Sequence, residues 1–191
     1  MFNIFHRATI YLLLIVSITI LPGKALSKNI DREIFDYVHN NMENKFLDST
    51  MPVVQRMGDP KVYLAVCAML CGFGNERMFE AGKLISAGFV ETGVLVYALK
   101  TIVGRSRPNN SLEKDSFPSG HSAFAFTMAM IAGRQYPTLR IPLYISAIGT
   151  SFARVYLGRH YPSDVIAGSI IGSLVGLQMN HYKSAILSLS F

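Results

Sequence analysis

The chain has 191 residues, half of them hydrophobic and 16% charged, with a formal charge of +6 and a mean hydropathy of +0.31. That is one domain's worth of sequence, more apolar than an ordinary soluble protein and basic enough to favour an anionic partner such as a phosphorylated substrate or an anionic lipid surface. It sets nucleic acid aside, because the cations are dispersed and no basic helix, zinc spacing or aromatic RNA-binding strand occurs.

In chain order, residues 8–21 form an uninterrupted apolar stretch behind Arg7, followed by Pro22-Gly23-Lys24-Ala25-Leu26-Ser27. Residues 1–27 are either a secretory signal peptide, with small residues at Ala25 and Ser27 for cleavage, or a first membrane helix, for which a span needs about 20 residues. Ile30, Ile34, Phe35, Val38 and Met42, at helical spacing after Asp31, predict an amphipathic helix over 30–45. Gly58-Asp59-Pro60 breaks the chain. Five apolar segments follow, near 62–74, 84–99, 122–133, 141–153 and 165–179. Each is shorter than an ideal span and Glu91 lies inside the second, so a soluble helical core is the rival arrangement. The near absence of charge within the segments and the short polar loops between them favour a bilayer. Small residues recur, as at Gly168, Gly172 and Gly176, which suits helices that approach closely. Cys67 and Cys71 sit four apart in an apolar run and read as small hydrophobes; two cysteines make neither a disulfide framework nor a metal quartet. The expected fold is an all-α membrane helical bundle of about six helices, or five if the N-terminal segment is removed. Residues 28–191 then form a single domain.

If all five segments cross, the loops 75–83 and 134–140 and the tail from His181 share one side. That side carries Arg77, Lys83, Arg134, Arg140 and Lys183, so the positive-inside tendency makes it cytoplasmic. The other side collects three polar clusters, which would face the periplasm or exterior of a cytoplasmic (inner) membrane.

The first cluster is Lys100 with Arg107-Pro108, and Arg105 between them. Arginine offers a planar fork matched to phosphate oxygens and lysine a compact point charge, so the pair can neutralise a phosphoryl group. Taken alone it reads more readily as an interfacial anchor for a helix end. The second, Pro118-Ser119-Gly120-His121, opens an apolar helix: Ser119 or Ser122 can cap it, Gly120 lets backbone approach a ligand, and unpaired amides at the helix start favour an anion. An imidazole there can donate a proton to a leaving alkoxide, the plainer role for this tetrapeptide being a cap beside a solvated His. In the third, Arg154 ends an apolar helix, His160 follows, and Asp164 sits in the first turn of the next helix, marked by Pro162. Asp164 is placed to accept a hydrogen bond from one ring nitrogen and leave the other free to attack phosphorus. Complementing a helix dipole would explain only the Asp. His6, His39 and His181 have no partner at useful spacing, and Glu113, Lys114 and Asp115 read as solvated loop residues.

With all three clusters in view, the stretch from Leu84 to about Gly176 resembles the type 2 phosphatidic acid phosphatase superfamily, which includes bacterial acid phosphatases and vanadium haloperoxidases. The resemblance implies that His160 is the nucleophile that becomes phosphorylated, Asp164 its orienting partner and His121 the acid for the leaving group. Lys100, Arg107 and Arg154 would hold the phosphoryl oxygens, with Ser119 and the Gly120 amide completing the cradle. It implies no metal and no cofactor. Membrane members have six helices with the site at the bilayer surface, which implies a lipid phosphate or diphosphate substrate at the outer membrane–water interface. One departure is Ala153, where the family often has Ser before the arginine; Ser151 is near but on another part of the helix. The alternatives are a soluble periplasmic acid phosphatase of the same superfamily, a lipid phosphotransferase, a vanadate-dependent haloperoxidase, and a non-catalytic membrane protein that binds anionic lipid. Which lipid is used, and the oligomeric state, are not written in these motifs.

Overall fold

A computed structural model describes residues 26–188, and these contain eight α-helices and no strand. The signal peptide or first membrane helix expected over 1–27 lies outside the described residues, apart from Leu26 and Ser27. Helix α1, Leu26–Asp36, runs on through a π-helical turn at Tyr37–Asn41. Helix α2, Lys45–Met57, begins after Asn44, whose side-chain oxygen accepts from the amides of Phe46 and Leu47 at 3.1 and 3.0 Å. The chain is thus helical from Leu26 to Asn41, and a second helix begins at Lys45, where the amphipathic helix expected over 30–45 would end, because Asn44 offers the chain a new helix start.

Helix α3, Pro60–Phe73, starts with Asp59 as its cap and Pro60 in the first turn, and α4, Glu76–Val103, is 28 residues long and capped by Asn75. It stops at Gly104, whose positive φ of 56° suits glycine. Beyond an irregular loop come α5, Gly120–Gln135, α6, Arg140–Tyr156, α7, Pro162–His181, and the short α8, Lys183–Leu187. Helix α5 is central and packs on α4, α6 and α7. Its seam with α7 is close: a Cβ on Gly168 or Gly172 would stand 2.3 or 2.1 Å from the carbonyl oxygens of Ser119 and Ala123. The core contains Leu84, Ile85, Leu99, Ile131, Ile171 and Val175; Cys67 is buried in it, and both cysteines are free thiols.

Only α4 among the described residues is long and apolar enough to cross a membrane by length and composition alone. The exposed faces add to that. Val90, Val94 and Tyr97 on α4, Ile141, Ile145 and Ile148 on α6, and Ile166, Ile170, Leu174 and Leu177 on α7 are all exposed, each set at helical spacing. Stripes of aliphatic side chains on the outside of a bundle belong against lipid. Glu91, amid the apolar stretch of α4, accepts from the Gln178 side-chain amide at 3.1 Å with both carboxylate oxygens. At one end of the bundle Arg77 donates to the Gln135 carbonyl, and Lys183 reaches Gln135 at 3.0 Å and Glu80 at 3.1 Å. The other end holds the C-termini of α4 and α6 and the N-termini of α5 and α7, which carry the three polar clusters.

Candidate active site

The loop from Gly104 to Ser119 ties the clusters together. Its base is closed by the Ser116 amide donating to the Arg105 carbonyl at 2.9 Å, and the Arg107 amide donates to Glu113 at 3.1 Å. Asp115 and Ser116 then face different partners. The Asp115 carboxylate accepts from Arg107 Nε and Nη2 at 2.8 and 2.9 Å, lies 3.6 Å from Lys100 Nζ, and its carbonyl accepts from the same ammonium. Asp115, read from its neighbours in sequence as a solvated loop residue, is about half exposed yet paired, because two cations from separate elements converge on it.

Ser116 holds His160 and Asp164. Its carbonyl accepts from His160 Nδ1 at 2.7 Å, and its hydroxyl donates to Asp164 Oδ2 at 2.6 Å. A carbonyl oxygen only accepts, so Nδ1 carries the proton and Nε2 keeps its lone pair. The expected acceptor for the ring was Asp164, whereas here it is the Ser116 carbonyl. Asp164 Oδ2 stands 3.8 Å from Nδ1, too far for a hydrogen bond, because it is taken by Ser116 and by the Tyr161 amide at 2.9 Å. Asp164 acts on the ring through its charge.

Both groups are buried, His160 being 2% exposed and Asp164 0%. Burial pushes the His160 pKa down, the Asp164 carboxylate opposes this, and the charges of Arg154 and Lys100 add to the depression. Burial works against the Asp164 carboxylate, yet the interactions with His160, Arg105, Ser116 and the Tyr161 amide outweigh it and hold its pKa below the ordinary value. The left-handed Gly158, φ 68°, turns the chain from α6 into His160, and the Asn109 side chain fills the space a Cβ would take.

Arg154 is buried at the end of α6. Its Nη1 donates to Gln55 of α2 at 2.9 Å, while its buried Nε has no acceptor among the described residues. Together with His121 it lines a cavity of about 320 Å³ whose other walls are Gln55, Arg56, Asp59 and Arg159. His121, in the first turn of α5 ahead of the apolar stretch, has its pKa pushed down to about 4, first by burial and then by Arg154, with His160 and Arg107 adding and Asp59 opposing.

Ser119 caps α5 and is fully buried, its hydroxyl against Ser122 at 3.1 Å and its amide donating to the Asp164 carbonyl at 2.9 Å. Ser151 donates to Ser122 at 2.9 Å, so it supports the same turn and does not stand in for the hydroxyl missing at Ala153. Lys100, Arg107, Arg154, His121, Ser119, Gly120, His160 and Asp164 therefore gather at one end of the bundle. Sequence reasoning passed over Arg105, which donates to Asp164 at 2.7 Å and to Asp31 at 2.6 Å, and also Asp31, Ser116 and Gln55. The pattern Arg105-Ser106-Arg107 carried one signal: in an extended loop, alternate residues face opposite ways, here Arg107 to the cations' side and Arg105 to Asp164.

The chain is similar to known proteins over most of its length. The family model described as the PAP2 superfamily matches residues 81–186. An undecaprenyl-diphosphatase from Sulfolobus acidocaldarius is 30% identical over 183 residues, covering 90% of this chain and 87% of that protein. A lipid A 1-phosphatase from Porphyromonas gingivalis is 35% identical over 113 residues, covering 55% of this chain and 25% of that one. Among solved structures, Aquifex aeolicus LpxE superposes with a TM-score of 0.70 at 28% identity, over 80% of this chain and 96% of that one. A transmembrane PAP2 type phosphatidylglycerolphosphate phosphatase from Bacillus subtilis gives 0.74 at 22% identity over the whole of both chains. With that family model covering more than half of its length, this all-α membrane bundle belongs to the PAP2 superfamily.

Proposed function

We propose that this chain is a lipid phosphatase that cleaves a lipid phosphate or diphosphate monoester through a phosphohistidine, with no metal. His160 Nε2 attacks phosphorus, the bond from phosphorus to the leaving oxygen breaks, and His121 delivers the proton that oxygen needs. Water then attacks the phosphohistidine, losing its proton to His121; the P–N bond breaks, phosphate leaves and the imidazole is restored. Lys100, Arg107 and Arg154 neutralise the equatorial oxygens, with the turn at Ser119 and Gly120 bringing backbone close, and the charge of Asp164 stabilises the cation that forms on His160. His121 is neutral in the empty site at pH 7; a phosphate dianion in the cavity raises its pKa toward that of a working acid.

The observation that carries this reading is the dipeptide Asp115-Ser116, which binds two cations with one residue and the nucleophile with the next. The unpaired Arg154 Nε beside the cavity supports an anion there. The charge pattern supports a site facing the periplasm or exterior of a cytoplasmic membrane. Because the undecaprenyl-diphosphatase relative is matched along 87% of its length, polyprenyl diphosphate heads the substrate panel, with lipid A phosphates next. The test is phosphate release from that panel in detergent. The parent releases phosphate with or without chelator and His160→Ala falls at least a thousandfold; loss of parent activity with chelator, or survival in His160→Ala, overturns the proposal.

A further inference from the structure

Asp31 lies on α1, far outside the region that the family model covers, and is 6% exposed. Its Oδ1 accepts from the Ser163 amide at 2.8 Å; its Oδ2 accepts from the Ser163 hydroxyl at 2.7 Å and from Arg105 Nη2 at 2.6 Å. Arg105 Nη1 in turn donates to Ser163 Oγ and to Asp164 Oδ1, both at 2.7 Å. The guanidinium lies over the Tyr161 ring, 4.1 Å from its centre, and that ring packs on Phe35 of α1. One buried carboxylate thus fixes a guanidinium that fixes the carboxylate beside the nucleophile.

We propose that Asp31 is a positioning residue for the reaction at His160, acting through Arg105 on Asp164. The geometry has an electrostatic consequence. Arg105 alone would neutralise Asp164 and leave no net charge to face the imidazolium as it forms. Asp31 shares the guanidinium, so the two carboxylates and one arginine retain a net negative charge, and the arising cation on His160 completes the balance. The N-terminal amphipathic helix is, on this view, part of the catalytic apparatus rather than an appendage to it.

The inference rests on His160 as the nucleophile, and the experiment keeps the two apart. In the full-length chain in detergent, Asp31→Asn keeps the side chain's size and removes its charge. Its kcat should fall 10- to 100-fold, with KM within twofold and slower accumulation of acid-labile phosphoenzyme. Asp31→Glu should retain more activity than Asn, and Arg32→Gln, an exposed neighbour on the same helix, should match the parent. Arg105→Gln should lose at least as much, and adding Asp31→Asn to it should cost nothing further, since the pathway is already cut. Retention of parental kcat in Asp31→Asn, or losses that multiply in the double variant, would overturn the inference, provided His160→Ala is inactive. An active His160→Ala would instead sink the underlying mechanism. If Asp31→Asn does not fold, the Arg105→Gln and Arg105→Lys pair decides: lysine cannot bridge two carboxylates, so equal activity of Arg105→Lys and parent refutes the bridge.

Discussion

Replacing Asp115 by Asn should tighten the binding of inorganic phosphate. In the parent, the Asp115 carboxylate receives two hydrogen bonds from Arg107 and stands 3.6 Å from Lys100, so it competes with an incoming phosphoryl group for both cations. The hydrogen bonds from Arg107 hold its pKa below the ordinary carboxylate value, which keeps it charged throughout any usable assay range. At an effective dielectric of about 20, unit charges 4 Å apart interact by about 4 kcal/mol. Asp115 is 47% exposed, however, and screening reduces such pairs to about 1 kcal/mol. Removing the competitor should therefore lower the phosphate inhibition constant about fivefold. The measurement is competitive inhibition of lipid phosphate hydrolysis by phosphate at fixed pH, repeated over a salt series, where the gap between variant and parent should narrow as salt rises. A weaker inhibition constant in Asp115→Asn would refute the reasoning and make Asp115 a brace for the cations rather than their rival.

Stability should depend on the histidines in a defined window. His121 titrates near 4 when folded and near 6.5 when unfolded, so its contribution is fully present above about pH 6.5 and is lost progressively as pH falls toward 4; the depressed His160 acts with the same sign. The thermal midpoint in detergent should drop over that interval, and His121→Gln should flatten the slope; an unchanged slope would contradict it. Gly168→Ala places a Cβ 2.3 Å from the Ser119 carbonyl, backbone that cannot swing aside, so it should cost about 1–3 kcal/mol and displace the turn beneath His121. Thermal midpoint and phosphate release should fall together, and a variant as stable and active as the parent would show that the seam has slack.

The three clusters were legible because each sits at a helix end, where chain spacing and spatial neighbourhood still correspond: Asp164 lies four residues after His160 and meets it in space. What sequence could not supply are partners whose separation along the chain has no period. Asp31 meets Ser163 across 132 residues, Gln55 meets Arg154 across 99, and the group that orients His160 is a backbone carbonyl, which has no side chain to announce it. Asp115 was misjudged for a related reason: a charged residue in a polar loop looks solvated until tertiary structure brings two cations to it. The amphipathic segment was recognisable from its apolar spacing, whereas its end ahead of Asn44 depended on a competition between continuing one helix and capping another.

Tyr97 belongs to the exposed apolar stripe on α4, and Lys100 follows within one turn, about 5 Å further along the axis. A lipid resting against that stripe already has its headgroup at the depth of the cations. Hydrolysis then requires no extraction of the molecule from its leaflet, and hydrocarbon length or saturation should leave turnover nearly untouched while any change next to the scissile oxygen is felt at once.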